Sequence, residues 1–159
     1  MPAPDAAGAT HADFTIDRRF KASPQRVYAA WATAEARATW FAGGQGWTQI
    51  MREFDFREGG RERVVGRKGT GTISDFRAIY VETIPAKRIV FTYEMFLNDV
   101  RVSVSLATIE LWPDGEGTKM KVTEQGAYLV AYDPQGDDNG SRERGTRELM
   151  DNLAQHLDE

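Results

Sequence analysis

Five basic residues crowd into one predicted strand-turn-strand segment, where their charge could receive an anion. They are Arg57, Arg61, Arg63, Arg67 and Lys68. If the strand face that carries Arg63 points inward, its guanidinium could bind a carboxylate or phosphate on an amphipathic molecule. The alternative is a solvated edge strand whose charges discourage aggregation between sheets. The nearby glycines precede a strand, and no Gly-Lys-Ser/Thr follows them, so they predict a hairpin rather than a phosphate loop.

Aromatic side chains form the second group of candidates. Trp40, Phe41 and Trp47 flank a glycine-rich stretch and could form the lip of a pocket, with the glycines as the hinge of a lid. Close packing around the same glycines is the alternative. Tyr93 alternates in phase with its apolar neighbours Phe91 and Met95, which predicts one shared strand face. The Tyr93 hydroxyl needs a partner when buried, either a ligand's polar end or another core group.

The sequence carries little that resembles catalytic machinery. Glu53 and Asp55 share one face of a predicted strand and could pair as acid and base, but they lie opposite Ile50, Phe54 and Phe56 and are therefore expected in solvent. Of the two histidines, His11 lies in the predicted disordered tail and only His156 lies in ordered sequence, so no histidine metal site is expected. The absence of cysteine excludes disulfides and thiolate chemistry. We predict no catalytic residues, no metal and no cofactor.

Composition narrows the class of protein. A chain of 159 residues is the size of one domain. Its net charge of −4 argues against a general nucleic-acid binder, which usually presents a basic field. No apolar run is long enough to insert into a membrane, and the chain starts without a secretory signal. Together with the missing cysteines, these features lead us to expect a cytoplasmic protein.

The elements that must position these residues can be read from periodicity. A period-two strand with Phe14 and Ile16 comes first, and Ser23 followed by Pro24 predicts the start of a short helix. Thr33 can cap a second short helix. From Trp47 onward the pattern is that of strands. Val104 and Leu106 are expected on the apolar face of one strand, and a slip in the alternation after them predicts a β-bulge near Leu106. An apolar stripe over 141–156 predicts one long terminal helix that must dock on the sheet.

Several segments together resemble a known family. They are Arg19-Phe20, Pro24, Val27, Ala30-Trp31, Trp40-Phe41, Asp55-Phe56-Arg57-Glu58-Gly59-Gly60-Arg61, Tyr80-Val81-Glu82, 84–92, and Gly117-Thr118 before Met120, Val122, Thr123 and Gln125. In order and spacing they resemble the activator of heat-shock protein 90 ATPase homologue family of the START-like, or SRPBCC, superfamily. The chain departs from that pattern at Glu58, Ala78 and Thr146, where the family has proline, glycine and often tryptophan. The missing tryptophan would leave one end of the cavity wider or differently filled.

The resemblance implies an α+β helix-grip fold. In this fold a curved antiparallel sheet of about six to seven strands wraps around a long C-terminal helix, and two short helices follow the first strand. We expect residues 1–12 to be a disordered tail and 13–159 to be a single START-like domain. The space between sheet and helix is then a natural cavity.

We therefore predict a binding module for a small hydrophobic or amphipathic molecule such as a lipid. Binding is expected in a cavity lined by Trp40, Phe41, Trp47, Phe54, Arg63, Phe91, Tyr93, Met95, Thr146, Leu149, Met150 and Leu153. One alternative, which follows from the family, is an interaction protein of the stress response with a chaperone as partner. A less favoured alternative is an enzyme of the cyclase, hydratase or isomerase kind. This alternative would gain support if Arg63, Tyr93 and a carboxylate converge on one void. The chain is expected to be a monomer or a homodimer.

Overall fold

The computed structural model describes residues 8–129 and 139–158 of the chain. These residues form seven strands and three helices. In chain order they are β1 (Thr10–Phe20), α1 (Pro24–Ala32), α2 (Ala34–Trp40), β2 (Trp47–Phe54), β3 (Arg61–Lys68), β4 (Ile73–Ile84), β5 (Arg88–Leu97), β6 (Val100–Asp114), β7 (Gly117–Tyr128) and α3 (Asn139–Leu157).

The strands form one antiparallel sheet in the order β1-β7-β6-β5-β4-β3-β2. Strands β2 to β7 follow one another as a meander, and β1 pairs with β7 at the far edge. Helix α3 lies against β1 and against both short helices. The predicted α+β helix-grip architecture, with two short helices after the first strand, is confirmed.

Three register irregularities bend this sheet, because an extra residue in one strand increases its local twist. One lies between Gln49 and Met51 of β2 and leaves Ile50 as the extra residue, with 52% of its surface exposed. The prediction that Ile50 shares a buried face with Phe54 and Phe56 was therefore wrong for Ile50. The other two irregularities lie in the β4–β5 and β5–β6 pairings.

The slip predicted near Leu106 occurs earlier in β6. Met95 pairs with Ser103 and Phe96 with Arg101, so the extra residue is Val102. From that point Ser103 and Ser105 are buried, whereas Val104 and Leu106 are 40% and 37% exposed. The alternation of valine and leucine thus marks the outer face of β6, opposite to the prediction.

The short helices begin where the sequence predicts. The Ser23 hydroxyl accepts a hydrogen bond from the Arg26 N–H, and Pro24 occupies the first turn of α1. Thr33 stands at the N-cap position of α2, but its hydroxyl donates instead to the Ala29 carbonyl at 2.9 Å. Thr33 therefore joins the two helices without capping the second through its side chain.

The first strand and the last helix extend beyond their predicted bounds. Strand β1 pairs with β7 as far as Thr10 and Tyr128, so residues 10–12 belong to the sheet and not to a disordered tail. Residues 1–7 of that predicted tail, like residues 130–138, lie outside the described residues. Helix α3 begins at Asn139, which places Thr146 in its third turn.

The apolar stripe of α3 completes the core. Met150, Leu153 and Leu157 are buried against the inner face of the sheet, among residues such as Ile16 and Ile109. At the edge, Arg18 of β1 forms an ion pair with Asp151, and Arg26 of α1 donates to the Leu157 carbonyl at 3.2 Å. None of the three described helices combines the length and hydrophobicity that a membrane crossing requires.

Candidate ligand cavity

A cavity of about 650 Å³ lies between the inner face of the sheet and α3. Strands β3 to β7 contribute one wall, the short helices and the following glycine stretch another, and α3 closes it. Most of the wall is apolar, with Val64, Phe76, Ile109 and Val122 among the strand residues. A volume of this size is within the range of sites that hold small organic molecules.

Nine of the twelve predicted cavity residues lie on this wall. They are Trp40, Phe41, Trp47, Phe91, Tyr93, Met95, Thr146, Leu149 and Met150. They come from four separate parts of the chain, which the fold brings together around one void.

The other three predicted residues lie elsewhere. Arg63 stands between Glu62 and Val64, which both face inward, so its side chain extends to the outer face and binds Asp75. Phe54 packs on Phe56 and Tyr80 at the edge of the core. Leu153 is fully buried and follows directly after Asn152, the last residue of α3 that lines the cavity.

A buried polar cluster interrupts the apolar wall where β5, β7 and α3 meet. The Tyr93 hydroxyl donates a short hydrogen bond to Glu124 Oε1 and accepts one of 2.9 Å from Arg142 Nη1. Thr146 Oγ1 lies 3.2 Å from Glu124 Oε2 and 2.9 Å from the Arg142 carbonyl. Three different elements are thus joined through one tyrosine-glutamate-arginine group at the cavity.

The same arginine also reaches the serines that the bulge in β6 turns inward. Arg142 Nη2 donates to Ser103 Oγ at 2.7 Å, and Nη1 lies 3.4 Å from Ser105 Oγ. Its guanidinium carbon lies 5.3 Å and 5.5 Å from the ring centres of Tyr93 and Tyr128. Because a planar guanidinium can stack and donate at once, these contacts hold Arg142 in one orientation.

Burial controls the protonation of the cluster's hydroxyl. It raises the pKa of Tyr93 well above the ordinary value of a tyrosine, and the neighbouring Glu124 carboxylate raises the pKa further, whereas Arg142 opposes the shift. Tyr93 therefore remains a neutral hydrogen-bond donor throughout the physiological pH range.

A second buried polar group lies where α2 meets β3 and β4. Arg37 donates from Nε to Glu62 Oε2 at 3.0 Å and from Nη2 to Oε1 at 2.9 Å. The Tyr80 hydroxyl donates to the same carboxylate at 2.9 Å. Burial by itself lowers the pKa of Arg37, but the charge of Glu62 and the interactions of Arg37 with Glu62 and Tyr80 together outweigh burial and raise the pKa. Arg37 lies on the cavity wall, whereas Glu62 stands behind it.

The mouth of the cavity is built by close packing between glycine and tryptophan. A Cβ on Gly43 would lie 2.5 Å from Trp47 Cγ, and one on Gly66 would lie 3.4 Å from Trp47 Cε3. The Trp47 ring therefore packs against two glycines, one in the segment between α2 and β2 and one in β3. Of the two predicted uses of the glycine stretch, close packing is the one seen at Gly43.

The remaining sequence candidates do not meet at the cavity. Glu53 and Asp55 are exposed, as expected from their alternation with Phe54. In the basic segment Arg57 binds Asp55 and Arg63 binds Asp75, while Arg61, Arg67 and Lys68 are exposed. Tyr93 does meet a carboxylate at the void, but that carboxylate is Glu124 and the accompanying arginine is Arg142.

The sequence contained a signal for some of the missed residues. Glu124 follows Met120 and Val122 at a spacing of two, so it falls on the inner face of β7. Glu62 has the same relation to Val64 in β3. The spacing therefore indicates that both carboxylates lie on the buried face of the sheet. No such signal marks Ser103 and Ser105. They alternate with the apolar residues Val104 and Leu106, which the pattern places on the inner face, so the serines were expected on the outer face.

Comparison with known proteins assigns the chain to a family. The model of the Activator of Hsp90 ATPase homolog 1-like protein family matches residues 21–158. The chain belongs to this family. The match includes every cavity-lining residue, so the cavity lies within the family domain.

Solved structures of similar proteins have the same fold. An uncharacterised protein from Rhizobium leguminosarum is 39% identical, covers 94% of this chain and 96% of its own, and superposes with a TM-score of 0.87. Mll3558 from Rhizobium loti is 38% identical over 94% of this chain and 99% of its own, with a TM-score of 0.84. CV1439 from Chromobacterium violaceum, at 24% identity, 92% and 97% coverage and a TM-score of 0.74, shares the fold. None of the curated proteins compared matches the chain.

Proposed function

We propose that this family member binds one small amphipathic molecule in the cavity between sheet and α3. The observation that carries the proposal is a cavity of about 650 Å³ whose wall is mostly apolar but holds one buried, oriented polar cluster. The apolar body of the ligand would contact residues such as Phe91, Met95 and Leu149. Its polar end would lie beside Tyr93 and Thr146.

The energetics favour such a ligand over a purely polar one. Burial of about 200 Å² of apolar ligand surface stabilises a complex by about 5 kcal/mol before the costs of association are subtracted. The polar cluster adds orientation more than affinity, since its groups already hydrogen-bond one another. A ligand without any polar group would bind in several orientations.

Gly145 offers a clean test of cavity binding. It lies on the cavity wall, and a Cβ at this position would meet no atom within 4 Å. Gly145→Trp should fill the void from α3, while Gly145→Ala adds only a methyl group and serves as the matched control. We expect native mass spectrometry of protein purified without detergent to find a bound apolar compound in the wild type and in Gly145→Ala, but not in Gly145→Trp. Retention of the same compound by Gly145→Trp would contradict the proposal.

A second candidate function rests on the outer face of the sheet. Ile79, Val81, Val104 and Leu106 are exposed there on β4 and β6, and Ile79 and Leu106 both pair with Thr92 on the strand between them. Exposed apolar patches of this kind favour protein contacts. With the family description, the partner to test is an Hsp90-type chaperone.

The chaperone candidate has its own experiment. We expect Leu106→Lys to abolish co-precipitation with a purified Hsp90-type chaperone at low salt, and Ile50→Lys, a change at an exposed isoleucine in β2, to leave it intact. Failure of the wild-type chain to recover the chaperone would reject this function. It would leave the cavity proposal unaffected, because the patch and the cavity lie on opposite faces of the sheet.

A further inference from the structure

The wall of the cavity is rich in aromatic side chains. Of the 28 described residues that line it, seven are aromatic: three tryptophans, three phenylalanines and Tyr93. That is a quarter of the wall, whereas aromatic residues make up 11% of the whole chain. Burial of an apolar ligand does not require aromatic residues, because aliphatic side chains also remove apolar surface from water. The enrichment therefore bears on the class of ligand.

Four of these side chains form a continuous row of rings, which we call the aromatic row. Phe76 lies between Phe41 and Tyr93, with 5.0 Å between ring centres on either side. The ring centre of Tyr93 lies 5.9 Å from that of Phe91. The ring planes of the three pairs are inclined at 62°, 38° and 37°, so none of these pairs is stacked face to face.

The aromatic row keeps accessible surface on the inner side of the sheet. Phe76, Phe91 and Tyr93 are 8%, 6% and 6% exposed, whereas Ile89, an inner residue in solid core, is 0% exposed. The three rings belong to the core cluster and line the cavity, so their remaining surface faces the void. Trp40, which is 1% exposed and lies outside the row, offers almost no surface to a ligand.

Helix α3 brings no aromatic side chain to the opposite side of the void, because its sequence contains none. Leu149 and Met150 are its apolar residues at the cavity, and the sheet adds Met95, which pairs with Phe76 across β4 and β5. Methionine sulfur makes favourable contacts with the edges of aromatic rings. A ring in the void would therefore meet the aromatic row on one side and methionine on the other.

Aromatic walls discriminate between ligands of equal size. A saturated ligand gains burial and dispersion from them, whereas an aromatic ligand also gains tilted or edge-to-face contacts between ring quadrupoles. The aromatic row also shares Tyr93 with the polar cluster. A ring that packs on Phe76 and Phe91 would thus bring a polar substituent to the Tyr93 and Thr146 end of the cavity, where the polar end of the ligand is proposed to lie.

We infer that the cavity selects an aromatic ring system with one polar substituent over a saturated molecule of the same skeleton. The inference rests on the proposed function, since it names the ligand class for the same cavity. The ring lies between the aromatic row and Met150 of α3, and the polar substituent lies beside Tyr93 and Thr146.

A matched pair of probes tests this selection. 2-(2-Naphthyl)ethanol and its fully hydrogenated analogue carry the same alcohol on the same carbon skeleton, but only the first is aromatic. We expect calorimetric titration to give about fivefold tighter binding of the aromatic alcohol. Phe76→Leu removes the central ring of the row and should bring the two affinities within twofold of each other. Ile109→Leu, an isomeric change on the aliphatic wall, should keep the preference. An undiminished preference in folded Phe76→Leu would contradict the inference.

A spectroscopic readout on the wild type covers the case in which Phe76→Leu does not fold. In a methyl ¹³C–¹H spectrum, the ring current of the naphthyl group should shift the Met95 and Met150 signals, and the hydrogenated analogue should shift them much less. Met120, which is fully buried away from the cavity wall, should stay nearly constant. Equal wild-type affinities for the two alcohols, with equal methyl shifts, would overturn the inference and leave cavity binding intact. If neither alcohol binds, both the inference and the proposed function fail.

Discussion

At the scale of single residues, the fold depends on buried polar groups that satisfy one another. Tyr93, Glu124 and Arg142 come from three elements and meet at the cavity wall. A carboxylate buried in this way is tolerated only with hydrogen-bond donors around it. The cluster therefore serves stability as well as the polar end of the proposed ligand.

Removal of the Tyr93 hydroxyl should lower the stability of the protein. Tyr93→Phe takes a donor from buried Glu124, and we expect the free energy of unfolding to fall by about 1 to 3 kcal/mol. Urea denaturation measures the change. In a double-mutant cycle with Glu124→Ala, which removes the acceptor, the combined loss should be smaller than the sum of the single losses, because both variants break the same bond. Simple additivity would contradict a direct Tyr93–Glu124 interaction.

The ion pairs of Asp75 should make the stability of the protein depend on pH. Burial by itself raises the pKa of Asp75, but hydrogen bonds from Arg63 and Arg77, with Nη2–Oδ2 distances of 2.9 Å and 2.8 Å, outweigh burial and hold the pKa below its ordinary value. Because the pKa of Asp75 is lower in the folded protein than in the unfolded chain, its ionised form stabilises the fold at pH values above the unfolded pKa of about 3.9. This stabilisation is lost as the pH falls through the pKa of the folded state.

The corresponding variant is Asp75→Asn. We expect it to be less stable than the wild type by about 1 kcal/mol between pH 5 and 7, since both arginines are partly exposed and solvent screens the pair. The difference should shrink as pH falls below about 4. Asp55→Asn, at an exposed ion pair, is the control and should change stability little. A difference that is undiminished at pH 2.5 would contradict the assigned role.

At the scale of elements, the sequence predicts which segments are helices and strands better than it predicts which side of a strand faces the core. Strands, short helices and α3 follow from periodicity, because buried faces repeat at two or 3.6 residues. A bulge changes the face of every residue beyond it, and nothing in the composition of β6 marks Val102 as the extra residue. For that reason the predicted orientation of Val104 and Leu106 was wrong, and the inward orientation of Ser103 was not predicted.

The turn before β3 gives a test at this scale. A Cβ on Gly60 would lie 2.0 Å from the Asp55 carbonyl oxygen and 2.9 Å from that of Arg57. Both atoms belong to backbone and cannot swing away. We expect Gly60→Ala to lower the free energy of unfolding by about 1 to 3 kcal/mol in urea denaturation. Gly44→Ala, where an added Cβ meets nothing within 4 Å, should have little effect. Equal stability of the two variants would show that the turn accommodates a side chain.

At the scale of the whole molecule, the helix-grip arrangement produces the cavity. A sheet bent by bulges cannot pack flat against a single helix, so a void opens between them. The sequence predicted this architecture and nine of the wall residues, because apolar alternation identifies residues that face inward. It could not separate inner residues at the void from those in solid core, such as Leu153, because that depends on how closely α3 approaches the sheet.

The most direct test of the account is a fluorescence titration with 1-anilinonaphthalene-8-sulfonate, an amphipathic probe. The wild type should show one saturable site with a blue-shifted emission. Gly145→Trp should bind at least tenfold more weakly and Gly145→Ala within twofold of the wild type, at equal melting temperature or higher for Gly145→Ala, since alanine favours helix over glycine. Wild-type affinity in folded Gly145→Trp, or a wild type without a saturable site, would contradict a ligand cavity between the sheet and α3.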